Sequence, residues 1–368
     1  MPYAGSIGAR MNDTSEVIAP VAGLRANYQQ SLLSVQGLHK TFTMSGAGMF
    51  DRKPHLRLAV DDVSFDVARG ETFGLVGESG CGKSTVARCV LRLLTPSGGH
   101  VHFDGIDLGQ LRENEIQRLR RRMQIVFQDP YTSLDPRMSA EAIVDEPLVI
   151  HGVRDRSERV ERVREMLELV GIIPEQARRR PHEFSGGQRQ RIGLARALVL
   201  HPEFVVLDEP ISALDVSIQA QVLNLLRSLQ ERLNLTYLFI VHDLTIAEYF
   251  CDRLAVLYLG AVMELGSREA LFRTPLHPYT NVLLSAVPIP DPTRERRRTY
   301  MMVKGEIAAR TGREEPGCRF RSRCPVGHNR DVCAAVEPPL QEKIPGHWVA
   351  CHFAGELPSK SVQTAGPT

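Results

Sequence analysis

No run in this sequence approaches the ~18 consecutive apolar residues that a membrane-spanning helix needs. The longest candidate, Leu254 to Leu265, is broken by Gly260 and Glu264. A basic leader followed by an apolar stretch is missing from the first residues, so no secretory signal is expected, and any membrane role runs through partners. Excess charge of one sign is missing too. The formal net charge is +2, which argues against a dedicated nucleic-acid binder with a concentrated basic face. Short basic clusters at Arg118 to Arg122, Arg178 to Arg180 and Arg294 to Arg298 read as solvated helix faces and loops. Sustained heptads are absent, which excludes long coiled coils.

What is present is an ordinary soluble composition, 43% hydrophobic and 24% charged over 368 residues. That length suffices for a large α/β domain and a smaller appendage. Residues 1–30 lack periodicity and are expected to be a flexible tail. Residues 358–368, small and polar, are expected to be disordered. Four short runs rich in β-branched and aromatic residues read as strands covered on both faces: Thr72–Val76, Gln124–Gln128, Glu203–Leu207 and Thr236–Val241. Helical stripes alternate with them. Val160, Val163, Met166, Leu167 and Val170 form one, and Ile218, Val222, Leu225, Leu226, Leu229 and Leu233 another. Such alternation predicts a doubly wound α/β core. Near residue 286 the texture changes to Pro288-Ile-Pro-Asp-Pro292 and a basic run. A boundary is expected there, with a core over 31–286, a helical subdomain at about 130–200, and a small domain over 287–357.

Gly77-Glu-Ser-Gly-Cys-Gly-Lys-Ser84 fits G-x-x-x-x-G-K-[ST] and follows a predicted strand. Gly77, Ser79, Gly80, Cys81 and Gly82 let the backbone wrap around phosphates with its N–H groups inward. Lys83 would reach the β- and γ-phosphates and Ser84 would ligate Mg²⁺, while Thr85 stands beside them where the helix opens. Phe204-Val-Val-Leu-Asp-Glu209 is a buried strand ending in two carboxylates. Adjacent acids there are poor structural choices unless a cation is near. Asp208 would hold Mg²⁺ through water, and Glu209 would polarise the attacking water. Three further features are less specific alone. Ser185 is suited to cap a helix opened by Gly186, Gly187 and Gln188. Gln128 could meet Mg²⁺ or water without adding charge, and His242 ends a strand beside the γ-phosphate position.

Together and in this order, these motifs resemble the ABC ATPase family from about Leu32 to Val287. The resemblance implies an α/β P-loop (RecA-like) core with an antiparallel β subdomain and a helical subdomain, followed here by a small cysteine-containing C-terminal domain. It implies an ATP hydrolase binding ATP and Mg²⁺, with Glu209, His242 and Gln128 catalytic and Ser84, Gln128 and Asp208 at the metal. The signature Ser185, Gly186, Gly187 and Gln188 would complete the site of a partner subunit. Asp215, in the D-loop Ser212-Ala-Leu-Asp215, is counted with the nucleotide-site residues. Phe42 is the candidate adenine-stacking aromatic, with ordinary strand packing as the alternative.

Pro181-His-Glu-Phe-Ser-Gly-Gly-Gln188, His277-Pro-Tyr-Thr280, Ser285-Ala-Val-Pro-Ile-Pro-Asp291 and Gly317-Cys-Arg-Phe-Arg-Ser-Arg-Cys-Pro325 resemble the oligopeptide/dipeptide/nickel branch of bacterial ABC importers. This implies work at the cytoplasmic face of the inner membrane with two transmembrane permeases, a second ATPase forming a heterodimer, and an extracytoplasmic solute-binding protein. Di- and oligopeptides are the expected cargo, with nickel, glutathione and oligosaccharide as alternatives. A soluble ABC ATPase acting on DNA or the ribosome is disfavoured by the single P-loop. Cys318, Cys324, Cys333 and Cys351 crowd the last fifth of the chain without a C-x-x-C pair. As residues they leave open zinc, an iron–sulfur cluster or packed thiols. The resemblance favours a structural 4Fe-4S cluster.

Overall fold

Two long strands, β1 (Ser31–Met44) and β2 (His55–Ala68), pair antiparallel. Their apolar residues Leu33, Val35, Val63, Phe65 and Val67 are buried, and so are Ser34, Ser64 and Asp66 between them, so the sheet is covered on both faces over this stretch. β3 (Thr72–Val76) then crosses into a second sheet, while β4 (Gly98–Phe103) and β5 (Ile106–Asp107) return to complete the first in the order β2-β1-β4-β5. This computed structural model describes residues 31–44, 55–287 and 316–356. The two expected tails, residues 288–292 and the Arg294 to Arg298 cluster lie outside the described residues.

The second sheet has eight strands. Its middle contains β6 (Met123–Val126), β7 (Phe204–Asp208) and β8 (Thr236–Val241), and β6·β7, β7·β8 and β3·β8 all run parallel. Every residue of β3, β7 and β8 is buried. Side chains alternate between two cores because successive residues of a strand point to opposite faces. Val205, Leu207, Tyr237 and Phe239 enter one core, and Phe204, Val206, Leu238 and Ile240 enter the other. The first core is covered by helices and the second by the β1–β2 sheet and α1 (Lys83–Val90).

Between β6 and β7 the chain turns helical. After α2 (Glu113–Leu119), which precedes β6, come α3 (Pro130–Ser133), α4 (Ala140–Ile150), α5 (Arg156–Leu169) and α6 (Gly186–Leu198). Val163, Met166, Leu167 and Val170 are buried as the stripe predicts, whereas Val160 is exposed. One turn earlier on α5, it borders a surface groove with Arg156 and Arg164. The basic cluster beside β6 is structural in part: Arg122 and Arg69 both bind the Glu203 carboxylate, at 3.0 and 2.8 Å.

After α7 (Val216–Leu233) and α8 (Leu244–Phe250), β9 (Arg253–Tyr258) and β10 (Ala261–Ser267) extend the sheet, followed by α9 (Arg268–Arg273) and α10 (Pro278–Ala286). The last described segment contributes α11 (Asp331–Ala335) and the hairpin β11 (Gln341–Ile344) and β12 (His347–Val349). β12 pairs with β10, giving the order β11-β12-β10-β9-β3-β8-β7-β6. The C-terminal segment is therefore hydrogen-bonded to the core sheet across the expected boundary near residue 286. Glu264 of β10, fully buried, accepts hydrogen bonds from Leu276 N, His277 N and His347 Nε2 at 2.6, 3.1 and 2.7 Å. A buried carboxylate needs such donors, and their positions tie both sides of the expected boundary together.

Candidate nucleotide site

The glycine-rich turn links the C-terminal end of β3 to the first turn of α1. Gly82 takes φ 110°, and a Cβ there would lie 2.4 Å from Ala59 O. A Cβ on Gly77 would meet Leu257 O at 2.3 Å. The loop thus sits where only glycine passes between β2 and the β9–β10 turn. Lys83 is buried, and its Nζ donates to Gly77 O at 2.8 Å and Glu78 O at 3.0 Å. Cys81 is buried behind the loop, its Sγ 3.9 Å from that ammonium, and burial pushes its thiol up.

The two acids at the end of β7 divide between two partners. Ser84 Oγ donates to Asp208 Oδ1 at 2.9 Å. Burial pushes the Asp208 carboxyl up, against the downward pull of that hydrogen bond and of Arg88. A desolvated carboxylate touching a hydroxyl at the phosphate loop is the donor pair that a Mg²⁺ ion takes. Glu209 has φ 48°, an uncommon conformation for a side-chain-bearing residue. Its Oε2 accepts from Gln128 Nε2 at 2.8 Å and lies 3.4 Å from His242 Nδ1. Gly82, Lys83, Ser84, Gln128, Glu209 and His242 line a cleft of about 660 Å³ that also receives Ser79, Gly80, Thr85 and, from β1, Phe42, whereas Gly77, Cys81 and Asp208 do not line it. The glycine-rich loop, the Ser84 hydroxyl with Asp208 as its partner, and a Glu contacting a Gln and a His meet at one open space.

Residues 60–212 match the ABC transporter family, and residues 263–333 match the C-terminal region of oligopeptide/dipeptide transporters. A putative peptide import ATP-binding protein of Brucella ovis is 53% identical over 87% of this chain and 97% of its own length. The oligopeptide transport ATP-binding protein AppF of Bacillus subtilis is 47% identical over 90% of this chain and 99% of its own. This chain is an ABC transporter ATPase of the oligopeptide/dipeptide branch. The dimeric ATP-binding cassette MJ0796, solved with ADP and Pi in a post-hydrolysis state, superposes with a TM-score of 0.57 at 30% identity. That likeness covers 64% of this chain and 98% of MJ0796. The cbiO1 cassette of Clostridium perfringens gives the same TM-score at 28% identity, covering 66% and 91%. The fold is that of an ABC cassette, and the chain is an ATP hydrolase whose ligands are ATP and Mg²⁺.

In the ABC ATPase, Ser185 to Gln188 lie away from this cleft. Ser185 caps α6: its Oγ accepts from Gln188 N at 3.3 Å, and Gln188 Oε1 accepts from Ser185 N at 3.1 Å. Gly186 and Gly187 open the helix, and a Cβ on Gly187 would meet Ile218 Cγ2 of α7 at 2.5 Å. Asp215 stands at the N-terminus of α7 without a side-chain capping bond. None of these residues lines the cleft.

Several site residues escaped the sequence reading. Arg57 and Leu58 of β2 line the cleft opposite Phe42, in a stretch that carries no motif. The His277-Pro-Tyr-Thr280 string marked the branch, and here it supports the loop. His277 Nδ1 accepts from Tyr279 N at 3.0 Å, and Tyr279 OH accepts from Glu78 N at 3.1 Å.

No disulfide joins any of the seven cysteines of the ABC ATPase. Two of the four C-terminal ones lie beside Gly327, where a Cβ would meet Cys333 Sγ at 2.8 Å and Cys324 Sγ at 3.5 Å. Cys318 N donates to Cys333 O at 2.9 Å, and Cys351 Sγ accepts from Phe353 N at 3.4 Å. Burial, helped by the neighbouring cysteines, pushes the Cys318 thiol up to about 12 and that of Cys351 to about 11. Four thiols suit a four-thiolate centre in kind, but their spacing does not. Among the described residues no group of three or more His, Cys, Asp or Glu is placed to hold a metal ion. The iron–sulfur expectation therefore finds no support in this arrangement, in which the thiols are packed and two sulfurs take backbone N–H groups.

Proposed function

We propose that this chain is the energy-coupling ATPase of an importer for di- and oligopeptides. What carries the reading is the union, in one chain, of a complete nucleotide cleft with the C-terminal region matched at residues 263–333. Peptide-transport relatives matching nearly end to end support the cargo class. Among the described residues no helix is long and apolar enough to cross a membrane, so the coupling we propose requires two permease subunits. A second ATPase chain, different from this one, and an extracytoplasmic solute-binding protein complete the assembly at the cytoplasmic face of the inner membrane.

In this reading Lys83 and the loop N–H groups bind the phosphates, Ser84, Asp208 and Gln128 hold Mg²⁺, and Glu209 is the base for the attacking water. His242 and Gln128 orient Glu209, and Phe42 stacks on the adenine. Ser185 to Gln188 and Asp215 serve the site of the partner ATPase, which their distance from this chain's own cleft supports. Closure of the ATPase pair on ATP would drive the permeases. Tagged Glu209→Gln protein, held with MgATP and recovered from native membranes, is expected to bring down two polytopic membrane proteins and a second ATPase. Recovery of ribosomal or DNA-repair proteins without a permease would overturn the transport reading.

The iron–sulfur cluster is a separate proposal, which rests on the resemblance and on the four thiols Cys318, Cys324, Cys333 and Cys351 being right in kind, not on their arrangement. Anaerobically purified full-length protein is expected to contain about four iron atoms per chain. Iron-free protein with all four thiols alkylatable after unfolding would remove the cluster from the account.

A further inference from the structure

The C-terminal segment touches the phosphate loop through Arg323, and Arg319, on the other side of Phe320, ties it to Asp61 and Leu259 nearby. Arg323, at the end of the 3-10 turn Arg321–Arg323, forks onto Glu78 of the loop. Its Nη1 donates to Glu78 Oε2 at 2.8 Å and its Nη2 to Oε1 at 3.0 Å, and both side chains are largely buried. Arg319, only 4% exposed, binds Asp61 and Glu337 and donates from Nη1 to Leu259 O at 3.1 Å. Leu259 and Gly260 border the nucleotide cleft. Phe320 is fully buried against Tyr258 and Tyr279, at 5.3 and 5.2 Å between ring centroids. This packing fixes the turn that carries Arg323.

Glu78 places a carboxylate within the loop expected to receive the phosphates. Its backbone is already engaged: its N–H donates to Tyr279 OH, and its carbonyl accepts from Lys83 Nζ at 3.0 Å. An unpaired carboxylate at this point would repel the phosphates, and more strongly because the site is partly desolvated. The bidentate guanidinium both cancels that charge and restrains the residue whose carbonyl holds Lys83.

We propose that Arg323 is a positioning residue for ATP binding, which neutralises Glu78 and thereby lets the phosphate loop accept a polyanion. It makes the C-terminal segment part of the nucleotide site, although no residue of that segment lines the cleft. Arg323 acts only through Glu78, so its loss should weaken affinity rather than slow the chemical step.

The test uses the full chain, a fluorescent MgATP analogue for affinity and steady-state ATPase for KM and kcat. Arg323→Gln is expected to weaken binding roughly ten-fold and raise KM alike, about 1.4 kcal/mol, with kcat at saturating ATP changed less than about two-fold. Adding Glu78→Gln to Arg323→Gln removes the stranded carboxylate and is expected to recover affinity to within about three-fold of the parent. Arg323→Lys, which keeps the charge but not the fork, should bind more weakly than the parent and more tightly than Arg323→Gln, since a bidentate arginine is replaced only in part by a point charge. These two variants carry the test should Arg323→Gln fail to fold. A double variant as weak as Arg323→Gln, or Arg323→Lys ten-fold weaker than the parent, would overturn the proposal. So would Arg323→Gln binding within two-fold of the parent.

Discussion

Replacing Glu209 by Gln is expected to slow ATP hydrolysis about 10²- to 10⁴-fold, the usual contribution of a positioned general base, while MgATP still binds. The amide is nearly isosteric with the carboxylate and can keep a hydrogen bond from Gln128 Nε2, which lies 2.8 Å from Glu209 Oε2. It cannot take a proton from water. The position is prepared by the backbone: Glu209 adopts φ 48°, and its N–H donates to Ile240 O of β8 at 3.1 Å. Left-handed conformations of this kind cost about 1–3 kcal/mol and persist where the surrounding structure over-determines them. Here the conformation turns the side chain from the end of a buried strand toward Gln128 and His242. Single-turnover hydrolysis with an independent measure of bound nucleotide separates the two steps. Retention of more than a third of the parental rate would show that another group takes the proton.

Lys83→Ala is expected to act earlier, on binding, with ATP affinity falling about 30-fold or more. Removing one member of a desolvated, hydrogen-bonded charge pair costs about 2–5 kcal/mol, and each 1.4 kcal/mol is a factor of ten. The ammonium is 5% exposed and held by Gly77 O and Glu78 O, so it is already aimed within the loop before any phosphate arrives. Nucleotide titration with far-ultraviolet circular dichroism as the folding control checks this. A folded Lys83→Ala protein binding ATP within five-fold of the parent would place the main phosphate contact elsewhere. The two variants differ in kind: one binds and does not turn over, the other does not bind.

Much of the core was legible because its strands are covered on both faces. Thr72–Val76 and Thr236–Val241 are continuous apolar runs, and they are β3 and β8 residue for residue. The α5 stripe was legible apart from Val160, since helical spacing alone does not say how far a neighbouring element extends. The C-terminal hairpin was not legible. All four residues of β11 are exposed and β12 has only three residues, so no apolar period exists to read. What places them is β10, some eighty positions earlier in the chain, through Glu264 and its buried donors.

By itself the sequence determined the chemistry. A glycine-rich turn before Lys83 and Ser84, and two acids at the end of an apolar strand, specify their own backbone and charge locally, within a few residues of chain. Only the tertiary structure decided which of these groups meet and what supports them. Ser84 reaches Asp208 across 124 positions and Arg323 reaches Glu78 across 245. Contacts of that range depend on sheet order and on which face each side chain takes, and neither is written in the residues that make the contact.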